Sequence, residues 1–328
     1  MIIDTHAHFT PQSMLDALHK EVGRFPSVEL LVEGDSHKLG FAGGALTRPL
    51  SPKLRDSDGR LEWMEHQCID TQVSGGWLDS FGYELSADEG AAWSRFMNEY
   101  LMSGTEDIKQ LVPLATVPLQ DGKLAAEVME EALNAGFAGI MIGTQPKGDS
   151  GNLDDPDLDP FWEAASALKA TLYLHPMFGC GDPRLLDFGM MNATGRGVDT
   201  TIAISRLLFS GHFLKYPGMK FVLSHGGGAL PYMLGRLARN IEIPGHDYAD
   251  PIEGFKTLYF DSVLFDPKAL NFLRDLVGAE KIMLGSDYPF PIGDMAPTKV
   301  VYDAKLGDKD TQLILGDTAA DIFNISVA

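Results

Sequence analysis

The feature that most constrains this chain is an eightfold alternation of short β-rich runs with amphipathic stretches. Segments 2–9, 72–78, 111–117, 138–144, 171–177, 221–225, 258–263 and 281–287 read as strands. They are short, mostly apolar and rich in β-branched or aromatic residues. Between them, 121–135 places Leu124, Val128, Ala132 and Leu133 at helical spacing, and 157–169 reads as a second such helix. Strands joined through helices pair in parallel, and eight such units predict closure rather than an open sheet. The expected fold is therefore α/β, a (β/α)8 TIM barrel, forming a single domain over residues 1–328.

One segment breaks the alternation. Residues 28–59 carry Gly, Pro, Ser and mixed charge without helical period, between the first strand and a helix starting near Arg60. So long a structureless loop is unusual in a compact domain. It is expected to be a small β-rich insertion after the first strand, at the barrel mouth, where βα segments usually shape a site. The tail after Pro289 is expected to be helical and to pack outside the barrel.

A formal net charge of −20 argues against nucleic acid or an anionic membrane as partner. Cys68 and Cys180 lack the spacing of a thiolate metal site, so two free thiols in a reducing cytosol are expected. The opening MIIDTHAHF does not resemble a signal peptide, and no apolar run approaches the roughly 18 residues that span a bilayer. These features predict a cytoplasmic protein.

Residues able to hold a metal fall at the predicted C-terminal strand ends. His6 and His8 are two apart on the first strand, so both imidazoles project to one side. His175 ends the fifth strand in TLYLHPM, His225 the sixth in FVLSHGGG, and Asp287 the eighth in KIMLGSDYP. Each alone is explained by a capped strand end, but five at one mouth point to chemistry. Mixed imidazole and carboxylate donors suit Zn²⁺ with an open position. His19, His37, His66, His212 and His246 are expected at the surface or behind the site. Gly226, Gly227 and Gly228 leave backbone room beside His225, although a tight turn alone would also account for them.

The stretches DTHAHF, LHP, SHGGGALPYMLGR and KIMLGSDYPFPIG resemble the branch of the amidohydrolase superfamily that contains aminocarboxymuconate semialdehyde decarboxylase and related non-oxidative decarboxylases. The resemblance covers nearly the whole chain. It implies that His6, His8, His175 and Asp287 bind one divalent metal and that His225 works beside its bound water. It also implies that Arg236, in LPYMLGR, holds a substrate carboxylate in the neighbouring subunit of a homodimer. Binuclear members use a fourth-strand lysine; here that strand reads AGIMIGT, with Lys147 beyond it, which favours one metal. Retaining His6, where aromatic-acid decarboxylases often carry Glu, places the chain nearer the semialdehyde decarboxylase. The loop after the fifth strand departs from that enzyme, being rich in Gly and Met without its tryptophans. For the arginine expected in the insertion, Arg48 is preferred to Arg55.

The activity implied is non-oxidative decarboxylation of a small unsaturated or aromatic carboxylic acid. His225 and Asp287 are its catalytic residues, and Arg48 and Arg236 hold the substrate. The same ligands would serve a hydrolase or hydratase of a lactone, amide or unsaturated acid. A non-enzymatic metal-binding barrel would instead have a blocked site.

Overall fold

A computed structural model of the chain describes every residue except 22, 149, 178, 179, 246, 327 and 328. Eight parallel strands form two sheets. The first holds β1 (Ile3–His8), β4 (Thr71–Gly75) and β5 (Leu111–Pro113), in the order β1-β4-β5. The second runs from β6 (Ile140–Gly143) through β7 (Thr171–His175), β8 (Lys220–Leu223) and β9 (Leu258–Asp261) to β10 (Ile282–Met283). Parallel bridges join the sheets at both ends, Ala115 with Ile140 and Ala7 with Tyr288. Backbone hydrogen bonds from Met141 N to Ala115 O and from His8 N to Tyr288 O, each 2.8 Å, accompany them.

All four residues of β6 and all five of β7 are buried, as expected of strands covered on both faces. The helix Gly122–Asn134 buries Ala125, Val128, Met129 and Ala132, a 3–4 spacing. Its start is fixed by Asp121, whose side chain accepts from Lys123 N and Leu124 N. Helical segments Pro297–Asp303, Asp308–Gln312 and Thr318–Ile322 make up most of the tail. A side chain at Gly316 would come within 2.1 Å of Met1 O, so the tail seals the N-terminal end of β1.

Several expected strands end early, for visible reasons. The last was expected to reach Asp287, but β10 stops at Met283 because Leu284 N turns to Ile314 O. The sixth stops at Leu223, since His225 has a φ of +53°, which a strand cannot accommodate. Asp287, with a φ of +61°, likewise sits on a turn beyond its strand. Within 28–59, β2 (Val28–Glu33) and β3 (Ser36–Phe41) form an antiparallel hairpin. The following helix begins at Ser57 rather than near Arg60, because Asp56 caps it by accepting from Gly59 N.

Cys68 and Cys180 are free thiols. Among the described residues, no helix is long and apolar enough to cross a membrane.

Candidate active site

His6, His8, His175, His225 and Asp287 converge beyond the C-terminal ends of the strands. The ring centroids of His6 and His8 lie 5.4 Å apart, and that of His175 lies 5.0 Å from His6 and 4.8 Å from His8. Asp287 Oδ1 is 3.4 Å from His6 Nε2 and 3.3 Å from His8 Nε2. His225 joins from the other side, 5.0 Å from the His6 ring and 5.1 Å from the His175 ring. Ligand atoms of His6, His175, His225 and Asp287 lie within 4.8 Å of one another.

The hydrogen bonds around these groups are asymmetric. Three of the four Nδ1 atoms are engaged, His6 with Asp261 Oδ2 at 2.6 Å, His8 with Gly76 O at 3.1 Å and His175 with Pro176 O at 2.8 Å, while His225 Nδ1 has no partner among the described residues. The Nε2 atoms of His6, His8 and His175 and Asp287 Oδ1 are buried without any hydrogen-bond partner among the described residues. A buried polar atom left unpaired costs about 1–3 kcal/mol. Four facing one another, with the far side of each ring fixed, could serve as the donor set and outer support of a metal site. The set fits one divalent metal.

Protonation agrees with this at His175 and His8, and not at His6. Burial, with the neighbouring His8 and His6 charges, drives the His175 pKa well below the usual imidazole value, and burial lowers His8. Both rings are therefore neutral at pH 7, with lone pairs available. Burial alone would raise Asp287, but the His6 charge, with His225 and His8 close by, holds it well below the carboxylate range. At His6 burial is outweighed by Asp287 and Asp261, so its pKa is raised.

Asp261 organises the centre although sequence reasoning passed over it. Besides the His6 bond, its Oδ2 accepts from Tyr173 Oη at 3.1 Å and its Oδ1 from Gly226 N at 2.8 Å. One carboxylate thereby fixes a ring of the cluster and the turn carrying His225. The available signal was its position at the end of the seventh strand.

The turn after His225 is tight. Gly226 has a φ of +58°, and a Cβ there would lie 2.4 Å from Leu264 Cδ2. These glycines thus make the turn itself, while Gly228 also borders the cavity. That cavity, about 1130 Å³, opens above the cluster. Trp77, Phe265 and Phe290 give it aromatic walls, and Arg48, Asp79 and Arg196 give it charge.

Arg48 reaches this cavity and pairs with buried Asp79, Nη2 to Oδ2 at 3.0 Å. Arg55 instead binds Gln12 Oε1 and Asp35 O and is not among the residues lining the cavity. Arg236 is exposed on the helix Leu230–Ile241 and does not line the cavity of its own chain. Lys147 is exposed and faces Asp157 at 3.7 Å, away from the cluster. His19 and His66 are exposed on helices, and His37 lies on β3. His212, expected at the surface or behind the site, is instead buried beside Trp162, its Nδ1 2.6 Å from Ser210 Oγ. His246 lies outside the described residues. Arg196 was missed because its stretch reads as a featureless Gly- and Met-rich loop.

Comparison with known proteins follows the same line. The chain is 27% identical over 331 residues to the 2-amino-3-carboxymuconate-6-semialdehyde decarboxylase of Dictyostelium discoideum, covering 98% of this chain and 91% of that protein. The crystal structure of 5-carboxyvanillate decarboxylase from Sphingomonas paucimobilis superposes with a TM-score of 0.82 at 25% identity, covering 99% of both chains. A dihydroxybenzoic acid decarboxylase from Polaromonas sp., solved with bound manganese and an inhibitor, shares the fold with a TM-score of 0.77 at 23% identity, covering 100% of this chain and 98% of that one. The amidohydrolase family model matches residues 3–325, and the chain is an enzyme of the amidohydrolase family.

Proposed function

We propose that this enzyme is a metal-dependent, non-oxidative decarboxylase of a small unsaturated or aromatic carboxylic acid. The observation that carries the reading is the set of four buried, unpartnered donor atoms on His6, His8, His175 and Asp287, with His225 beside them beneath an aromatic-walled cavity. The eight strands are read as a closed (β/α)8 barrel within one domain, 1–328, with 28–59 as an insertion at its mouth. The mixed donors suit Zn²⁺, with manganese the competitor; metal analysis of the purified protein distinguishes them.

A bound divalent cation supplies Lewis acidity at the cluster. His225 is the proton carrier: its Nε2 faces Asp287 Oδ2 at 3.5 Å, and its side chain is 21% exposed, toward the cavity. It delivers a proton to the carbon bearing the carboxylate. The bond to the carboxylate carbon then breaks, its electron pair restores conjugation, and CO₂ leaves. Asp287 orients the imidazole. The aromatic walls hold the substrate plane and keep water from it.

We further propose that the active unit is a cytoplasmic homodimer in which Arg236 serves the partner's cavity. If so, mixed dimers of His175→Ala and Arg236→Ala chains recover about a quarter of the sites after random exchange, and no recovery removes the shared site. The reaction is tested by incubating metal-loaded protein with carboxylated muconates and aromatic acids in D₂O. Trapped CO₂ and one deuterium at the vacated carbon are expected. Addition of water without CO₂ means a hydratase or hydrolase.

A further inference from the structure

The two arginines on the cavity wall are not equivalent. Arg48 spends its charge on Asp79, both Nε and Nη2 donating to Oδ2, and its side chain is 54% exposed. Arg196 has no carboxylate within ion-pair distance among the described residues. Its Nε donates to Asn192 Oδ1 at 2.8 Å and its Nη1 to Pro176 O at 3.0 Å. That carbonyl is also the partner of His175 Nδ1, so one oxygen separates the guanidinium from the metal cluster. Burial lowers the Arg196 pKa from its ordinary value, with Asp79 opposing and Arg48 adding to the shift.

The position is also rigid. Arg196 opens the helix Arg196–Phe209, directly after a widened turn over Met191–Gly195, a feature common at functional sites. Gly228, with a φ of +64°, lies so close that a Cβ would come within 2.3 Å of Gly197 O. Ala229 N donates to Thr201 Oγ1 at 3.0 Å, tying the same helix to the His225 turn. The guanidinium is thus held beside Pro176 O, which His175 Nδ1 also bonds, and its helix is tied to the His225 turn, with no carboxylate in ion-pair reach among the described residues.

We infer that Arg196 is the specificity-determining anchor for a second carboxylate of the substrate, and that the substrate is a planar conjugated dicarboxylate. This rests on the reading of the cavity as a decarboxylase site. The carboxylate that departs as CO₂ loses its charge, so a strong cation on it would stabilise the ground state over the transition state. An arginine fork is better placed on a carboxylate that stays, where it fixes orientation throughout. The cavity, about 1130 Å³, is lined by residues of the cluster, by Arg196 and by Trp77 and Phe290, and has the volume for a small planar substrate.

The test is calorimetric binding of benzene-1,3-dicarboxylate and benzoate to the metal-loaded enzyme, with metal content measured for each variant. Wild type is expected to prefer the dicarboxylate by about tenfold or more, the worth of a charge-assisted pair. Arg196→Met removes that preference while leaving benzoate binding and metal content near wild type. Arg196→Lys, which retains charge and helix packing but not the fork, keeps only part of it, and serves if the Met variant does not fold. No preference in wild type, or an undiminished one in the Arg196 variants, overturns the assignment. Equal loss of both ligands, or loss of metal, also overturns it, making Arg196 a positioning residue that acts through Pro176 and His175. Because the readout is binding, a preference that persists while no substrate yields CO₂ sinks the decarboxylase reading and not this one.

Discussion

Two buried polar layers lie one step apart along the same strands and are built on opposite principles. In the lower one, Asp4 Oδ1 accepts from His6 N and Ser286 N, and Oδ2 from Gln72 Nε2 and Ser286 Oγ. Arg60, fully buried, donates to Gln72 Oε1 and His8 O and lies over the Phe9 and Tyr288 rings. Asp4 uses both of its oxygens. In the upper layer, His6, His8 and His175 bond on one side only, and the atoms facing each other have no partner. The lower layer holds strands together. In the upper one Asp261 fixes the His6 ring and the turn carrying His225, and the unpaired atoms it leaves facing one another are those that the proposed cation would satisfy.

The comparison breaks most clearly at Asp4. Asp4→Ala strands four donors in a buried space and should lower unfolding stability by about 3–5 kcal/mol, read by denaturant melts of the metal-free protein. A loss below about 1 kcal/mol would deny the lower layer its structural role. His8→Ala is the matched change above. It removes a group that is already half unsatisfied, so metal-free stability should move by less than about 1 kcal/mol, while the stabilisation that added metal gives wild type disappears. A large metal-free loss would mean the upper layer is structural as well.

The lower layer was illegible in the sequence, and the upper one largely legible, for the same physical reason. Strand periodicity and position are local properties, so His6 and His8 at alternate places and His175 at a strand end mark themselves. Family resemblance supplied the proposed division of labour between ligands and His225. Arg60 marks itself in no such way: an arginine in a helix reads as solvated, and only contacts 12 to 52 residues away in sequence bury it. Arg196 is similar, since its value depends on which arginine Asp79 neutralises. Strand ends were overestimated where backbone turns with positive φ, at His225 and Asp287, take over from sheet pairing. The β-rich character of 28–59 was legible in its lack of helical period, and β2 and β3 pair there residue by residue from Val28 with Phe41 to Glu33 with Ser36.

The central claim is that four donors hold one cation while His225, equally close, is left free to move protons. Metal per chain and turnover, measured together on wild type and His225→Ala, test it most directly. The account predicts one divalent metal per chain in both proteins, with turnover falling about 10²-fold or more in the variant. Two metals per wild-type chain, loss of metal with His225, or near-normal turnover without it would contradict it.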